Sequence, residues 1–146
     1  MTVVTRWMKV HVLLLPDRPH VKPQWWQWAR LLGLVLPAWL VLANAQHPLA
    51  WAGAAHLFCD FTAQSTPTAL GKARRDWRVL AYHGLVAGGW PGYLVAGLPG
   101  LLLGTLTHAL IDATGKFGYA DWRGPLADQL AHTLVLVMLF TLFTLL

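Results

Sequence analysis

Apolar and polar positions along the chain divide it into an arm followed by a series of apolar runs. Leu31 to Ala43 is the first run, and Pro48 to about Gln64 the second. A polar stretch, Ser65 to Arg78, follows. Val79 to Ile111 then carries no Lys, Arg or Asp. As one helix those 33 residues would reach roughly 50 Å, too long for a hydrocarbon core of about 30 Å. They are therefore predicted to fold as a hairpin of two short spans. Gly88-Gly89-Trp90-Pro91-Gly92 is the stronger breaker cluster and Gly97-Leu98-Pro99-Gly100 the second, and the pattern leaves the turn open between them. Leu126 to Leu146 closes the series. The expected fold is an all-α integral membrane bundle of about five transmembrane helices.

Residues 1–30 read differently. Val10 to Leu15 is apolar but too short to span a bilayer, and Pro16, Pro19 and Pro23 interrupt any continuous helix. This is an expected extramembrane basic arm, with Trp25, Trp26 and Trp28 as an interfacial belt at its end. The basic arm, the apolar run and Ala43-Asn44-Ala45 also resemble a signal peptide with its cleavage site. The length of the basic region, about 30 residues, favours a retained span over a leader. The division is an arm over 1–30 and a transmembrane domain over 31–146, with a polar-site bundle from 48 onward.

Composition supports a membrane setting. The chain has 146 residues, enough for one domain, and is 56% hydrophobic and 12% charged, against roughly 25% charged in soluble domains. The single Cys59 excludes an intrachain disulfide. A net charge of +5 does not point to nucleic acid, because the basic residues lie between apolar runs and form no basic face. With the N-terminus in the cytoplasm, all eleven Lys and Arg fall on that side, in the arm, in 65–78 and in 116–123. This positive-inside pattern implies a multi-pass protein of the bacterial inner membrane with a cytoplasmic N-terminus.

The candidate chemistry lies inside the apolar runs. His56 and Asp60 are four residues apart, as are His108 and Asp112, and Asp128 and His132; Gln64 continues the first series. Residues four apart on an α-helix differ by about 40° around the axis, so each pair shares a face. The chain has no glutamate, and its other aspartates are Asp17, Asp76 and Asp121. In the expected topology each paired Asp sits roughly 6 Å, and each paired His roughly 12 Å, from the cytoplasmic boundary. His83, near the start of the third span, falls at the same end. Intramembrane ionisable residues are costly and mark functional sites.

A divalent metal held by some of His56, Asp60, His108, Asp112, Asp128 and His132 would offset that cost, since helix bundles supply nitrogen and oxygen ligands from facing side chains. The bland alternative is a set of His–Asp hydrogen bonds that locks the helices. His83 is a candidate base, and Gln64 and Gln129 adjoin the pairs as residues that orient ligands. His11, His20 and His47 read as solvated, Cys59 as a small buried residue, and Gly84, Gly88 and Gly104 as packing positions.

These motifs, H-L-F-C-D-F-T-A-Q, A-Y-H-G, T-H-A-L-I-D and D-Q-L-A-H, resemble a family of small bacterial and phage membrane proteins of unassigned function. Its pattern is His-x3-Asp-Phe-x2-Gln, then His, then His-x3-Asp, then Asp-Gln-x2-His, and it fits from about residue 50 to 146. The resemblance carries over His56, Asp60, Gln64, His83, His108, Asp112, Asp128, Gln129 and His132, and excludes 1–45. The family is distantly similar to membrane-bound metal-dependent hydrolases of the DNA-damage response, a likeness that transfers no reaction.

The leading expectation is a membrane-embedded metal-dependent hydrolase, with Zn or Mn as cofactor and a substrate such as a lipid headgroup or another phosphate ester entering from the cytoplasmic leaflet. The rival is a non-enzymatic accessory or structural subunit of a larger membrane assembly, with a structural polar layer or a haem held by two histidines. A proton relay is a third class. The expected partners are the lipid bilayer and a larger membrane assembly, with no nucleic acid.

Overall fold

The computed structural model describes residues 24–114 and 123–146. The proline-broken part of the arm, and the loop with Lys116 and Asp121, lie outside the described residues. Among those described, every regular element is helical. Helix α1 spans Gln24–Ala43, α2 Pro48–Leu57, α3 Thr66–Ala73, α4 Trp77–Gly84, α5 Trp90–Thr114 and α6 Arg123–Leu145. π-Helical turns, Phe58–Thr62 and Leu85–Gly89, extend α2 and join α4 to α5.

Helix starts follow local chemistry. His47 caps α2, its Nδ1 accepting from the Leu49 amide at 3.2 Å, with Pro48 in the first turn. Ser65 caps α3 by accepting from the Thr68 amide at 3.3 Å, and Asp76 caps α4 by accepting from the Arg78 amide at 3.0 Å. The polar stretch 65–78, which carries no apolar run, therefore still contains a helix. Gly71 on α3 lets that helix close onto Val79, where an added Cβ would sit 2.6 Å from the valine side chain.

The expected reversal within Val79–Ile111 exists, and it uses the second breaker cluster. Ala96 (φ −144°, ψ 18°) and Gly97 (φ 59°, ψ −144°) leave helical geometry and divide α5. A positive φ with that ψ is open to glycine and strained for other residues. The other cluster stays helical because its glycines are spent on contact between the limbs. A Cβ at Gly88 would collide with the Gly104 carbonyl, and one at Gly92 with the Gly100 carbonyl. Pro91 sits just after the Leu85–Gly89 π-turn, whose wider loop accommodates a residue with no N–H to give.

Burial is distributed inside out. The buried set contains His56, Asp60, Gln64, Lys72, His83, His108, Asp128 and His132, while its apolar members are mainly alanines and leucines. Outside lie Leu98, Leu102, Leu106 and Leu110 on α5, and Leu130, Leu134, Met138 and Leu142 on α6. Two stretches, Trp77–Thr114 and Leu126–Leu145, are long and apolar enough to cross a membrane, and Leu31–Ala43 is a shorter apolar helix. By length and composition this is fewer than the five spans expected from the sequence. The shortfall has a physical cause: α2 is only ten residues long, and the first of the two stretches is a folded-back pair.

Candidate functional site

Four helices and the Phe58–Thr62 turn bring all nine sequence-predicted residues into one polar centre. His56 comes from α2, Asp60 from the π-turn and Gln64 from just after it; His83 comes from α4, His108 and Asp112 from α5, and Asp128, Gln129 and His132 from α6. The imidazoles pack closely. His108 and His132 stack at 3.9 Å between ring centroids, and His56 lies 5.1 Å from His132 and 5.4 Å from His108. His83 lies 5.0 Å from His108. The i, i+4 arithmetic set each pair on a face; the helix packing turned those faces toward one point.

Lys72 also belongs to the centre, and the sequence reading missed it. In the sequence it is one of four basic residues of the 65–78 stretch. Arg74, Arg75 and Arg78 of that stretch are exposed, but Lys72 is 8% exposed. Its Nζ lies 2.9 Å from Asp112 Oδ1 and 3.3 Å from Asp60 Oδ1, and donates to Gln64 Oε1 at 3.1 Å. A Ser-capped helix in a polar stretch was the available signal: Ser65 followed by Thr-Pro starts α3, and Lys72 falls at its end.

One half of the centre is saturated with hydrogen bonds. Asp60 Oδ1 accepts from His83 Nε2 at 2.9 Å as well as from Lys72, and Asp60 Oδ2 accepts from Gln129 Nε2. The Gln129 Oε1 then faces His56 Nε2 at 3.0 Å. The other ring nitrogen of His56 donates to the Ala87 carbonyl at 2.9 Å. Ala87 is four residues before Pro91, so its carbonyl is the one Pro91 cannot serve. A proline on one limb thus supplies an acceptor that orients a histidine from another helix. With both nitrogens engaged, His56 is placed to position its neighbours rather than to ligate.

The other half is open. His108 Nε2, His132 Nε2 and Asp112 Oδ2 are buried without a hydrogen-bond partner. They converge: His108 Nε2 is 3.5 Å from Asp112 Oδ2, and His132 Nε2 is 3.9 Å from Asp112 Oδ1 and 3.6 Å from Asp128 Oδ1. Buried polar atoms without partners are rare, and each calls for an explanation such as an ion. Ligand atoms on a tetrahedral zinc, with bonds of 2.0–2.1 Å, lie about 3.3 Å apart, so these separations are near those of a metal site. Three triads each offer ligand atoms within 4.8 Å of one another: Asp60, His108 and His132; His83, His108 and Asp112; and Asp112, Asp128 and His132. In the first, both Asp60 oxygens are already engaged; in the second, His83 Nε2 is. The third, joined by His108, keeps His108 Nε2, His132 Nε2 and Asp112 Oδ2 open, while Asp112 Oδ1 meets Lys72 and Asp128 Oδ2 accepts from Gln129 at 3.5 Å. The buried clusters could hold a metal ion, and the donor set suits one. A cavity of about 10 Å³, about one water sphere in size, adjoins His56, His108 and His132.

Of the residues read as bland, His47 is exposed and caps α2, and Gly84, Gly88 and Gly104 pack the hairpin, as expected, whereas Cys59, expected to be buried, is free and partly exposed. His11 and His20 lie outside the described residues.

A family model described as "Protein of unknown function (DUF3307)" matches residues 54–146. The match covers every residue of the polar centre and leaves out α1. It agrees with the resemblance to a family of unassigned function, and assigns no activity. No curated protein matches. Nor does any solved structure.

Proposed function

The chain belongs to the DUF3307 family, and we propose that it is a membrane-embedded hydrolase of phosphate esters that depends on one divalent metal, Zn or Mn. The observation that carries this reading is the convergence of three unpartnered buried ligand atoms, on His108, His132 and Asp112, beside Asp128. When bound there, the cation supplies Lewis acidity toward a phosphoryl oxygen and acidifies a water toward neutral pH. His83 donates from Nε2 to Asp60 Oδ1 and so positions that carboxylate, and the proton of the water passes instead to the carboxylate of Asp128 beside His132. Gln129 fixes Asp60 and His56 together, and Gln64 holds Lys72. These are positioning contacts, and they keep the ligand-bearing helices in register.

The same reading places the bundle in the bacterial inner membrane, with the basic stretch 65–78 in the cytoplasm. The apolar outside and polar inside support this, as do the hairpin limbs 77–95 and 98–114. At 1.5 Å per residue these are about 28 Å and about 26 Å long, close to a hydrocarbon core. A lipid headgroup in the cytoplasmic leaflet is then the nearest phosphate ester.

The second reading is an accessory subunit with a structural polar layer, favoured by the saturated half of the centre. Haem fits poorly, because imidazole centroids 3.9–5.4 Å apart leave no slot for a macrocycle. The test is phosphate release from anionic phospholipid in mixed micelles by the zinc- or manganese-loaded protein. Release that is abolished by chelation and by Asp112→Asn supports the hydrolase. A metal-loaded protein that releases no phosphate and copurifies with larger membrane proteins moves the assignment to the accessory subunit.

A further inference from the structure

We propose that Lys72 is a built-in cation that fills the second cation position of this centre, and so limits each chain to one divalent metal. This rests on the metal reading above. The geometry is that of a carboxylate shared between two positive charges. Asp112 Oδ1 meets the Lys72 ammonium at 2.9 Å. Its other oxygen, Oδ2, is the one left without a partner, on the side of His108. The ammonium also takes up Asp60 Oδ1 and Gln64 Oε1, and lies 3.1 Å from His83 Nε2. The ammonium thereby engages Asp60 Oδ1 and Asp112 Oδ1, whereas Asp112 Oδ2, His108 Nε2 and His132 Nε2 have no hydrogen-bond partner.

The charge count agrees. Asp60, Asp112 and Asp128 bring three negative charges into a buried centre, and Lys72 brings one positive charge. The imidazoles are neutral whenever they ligate. Counting His56 and His83 as neutral too, the two remaining negative charges match one divalent ion, whereas a second ion would leave an uncompensated positive charge in a place where such charge is costly. Removing the ammonium reverses the balance. The three oxygens that the ammonium joins, Asp60 Oδ1, Asp112 Oδ1 and Gln64 Oε1, are then left as a second open ligand set with a net charge that calls for another cation.

The experiment is zinc stoichiometry by elemental analysis of the full chain in detergent, equilibrated with excess zinc and freed of unbound ion. Wild type should hold one zinc per chain, Lys72→Arg one, and Lys72→Met two. A lysine that merely braced the fold would not raise the stoichiometry when removed. One zinc in both wild type and Lys72→Met overturns the proposal and leaves the metal reading standing. No zinc in any of them overturns both. Two zinc ions in wild type also overturn it, and that measurement needs no variant, so the test stands even where Lys72→Met does not fold.

Discussion

Gln129 shows how much one side chain does in this centre. Its amide spans from His56 Nε2 to Asp60 Oδ2, tying α6 to α2 and to the π-turn that follows it. Gln129→Leu keeps the volume and removes both contacts, together with a longer one to Asp128 Oδ2 at 3.5 Å, leaving His56 Nε2 and Asp60 Oδ2 unsatisfied. The expected loss is about 1–3 kcal/mol for each such group, read as a lower unfolding temperature in detergent. Because Gln129 offers no ligand to the open half, zinc stoichiometry should be unchanged; loss of zinc in a folded Gln129→Leu protein would show that the two halves are one object. The open half should behave in the opposite way. Asp112→Asn and Asp128→Asn should each abolish zinc binding, and the double variant should be little worse than either, as residues acting as a unit are non-additive. The His–Asp pairs were legible in the sequence because one helical turn separates their members. Lys72 was not, because it is twelve residues from Asp60 across a change of direction, and a polar stretch with three arginines hides one inward lysine.

At the level of elements, the hairpin decides where the centre forms. His108 lies on the second limb directly against Gly88 of the first, and a Cβ at Gly88 would meet both the Gly104 carbonyl and the His108 side chain. Gly88→Ala should therefore cost about 1–3 kcal/mol as overpacking, and should lower zinc affinity by shifting His108. Gly53→Ala is the control, since nothing lies within 4 Å of its added Cβ; it should be neutral or stabilise by up to about 1 kcal/mol. Equal losses from the two substitutions would contradict the packing account. Both glycine–proline clusters look like turns when taken singly, which is why the breaker pattern left the choice open. Their register was nevertheless written in the chain: Gly92 with Gly100, and Gly88 with Gly104, pair symmetrically about residue 96. The π-turns were not legible, because they answer to Pro91 and to the packing around Asp60 rather than to a local motif.

Among the described residues, the His and Asp side chains of the centre and Lys72 are buried while most leucines of α5 and α6 are exposed, the reverse of the usual order in a soluble domain. Single cysteines placed at Arg74 or Arg75, in a Cys59→Ala background, should be shielded from a membrane-impermeant maleimide in intact cells, and one at Leu146 should be labelled. Ready labelling at Arg74 would reverse the orientation and move the centre to the other leaflet. The all-helical class and the common polar centre could be read from apolar runs and helical spacing. The number of spans could not, because run length alone does not say where a helix shortens or folds back. The most direct measurement is the divalent metal content of the purified full chain. The account predicts close to one zinc or manganese per wild-type chain, and none in a folded Asp112→Asn chain. A folded wild-type chain that holds no metal after equilibration with zinc and with manganese, or an Asp112→Asn chain that keeps the wild-type amount, would contradict it.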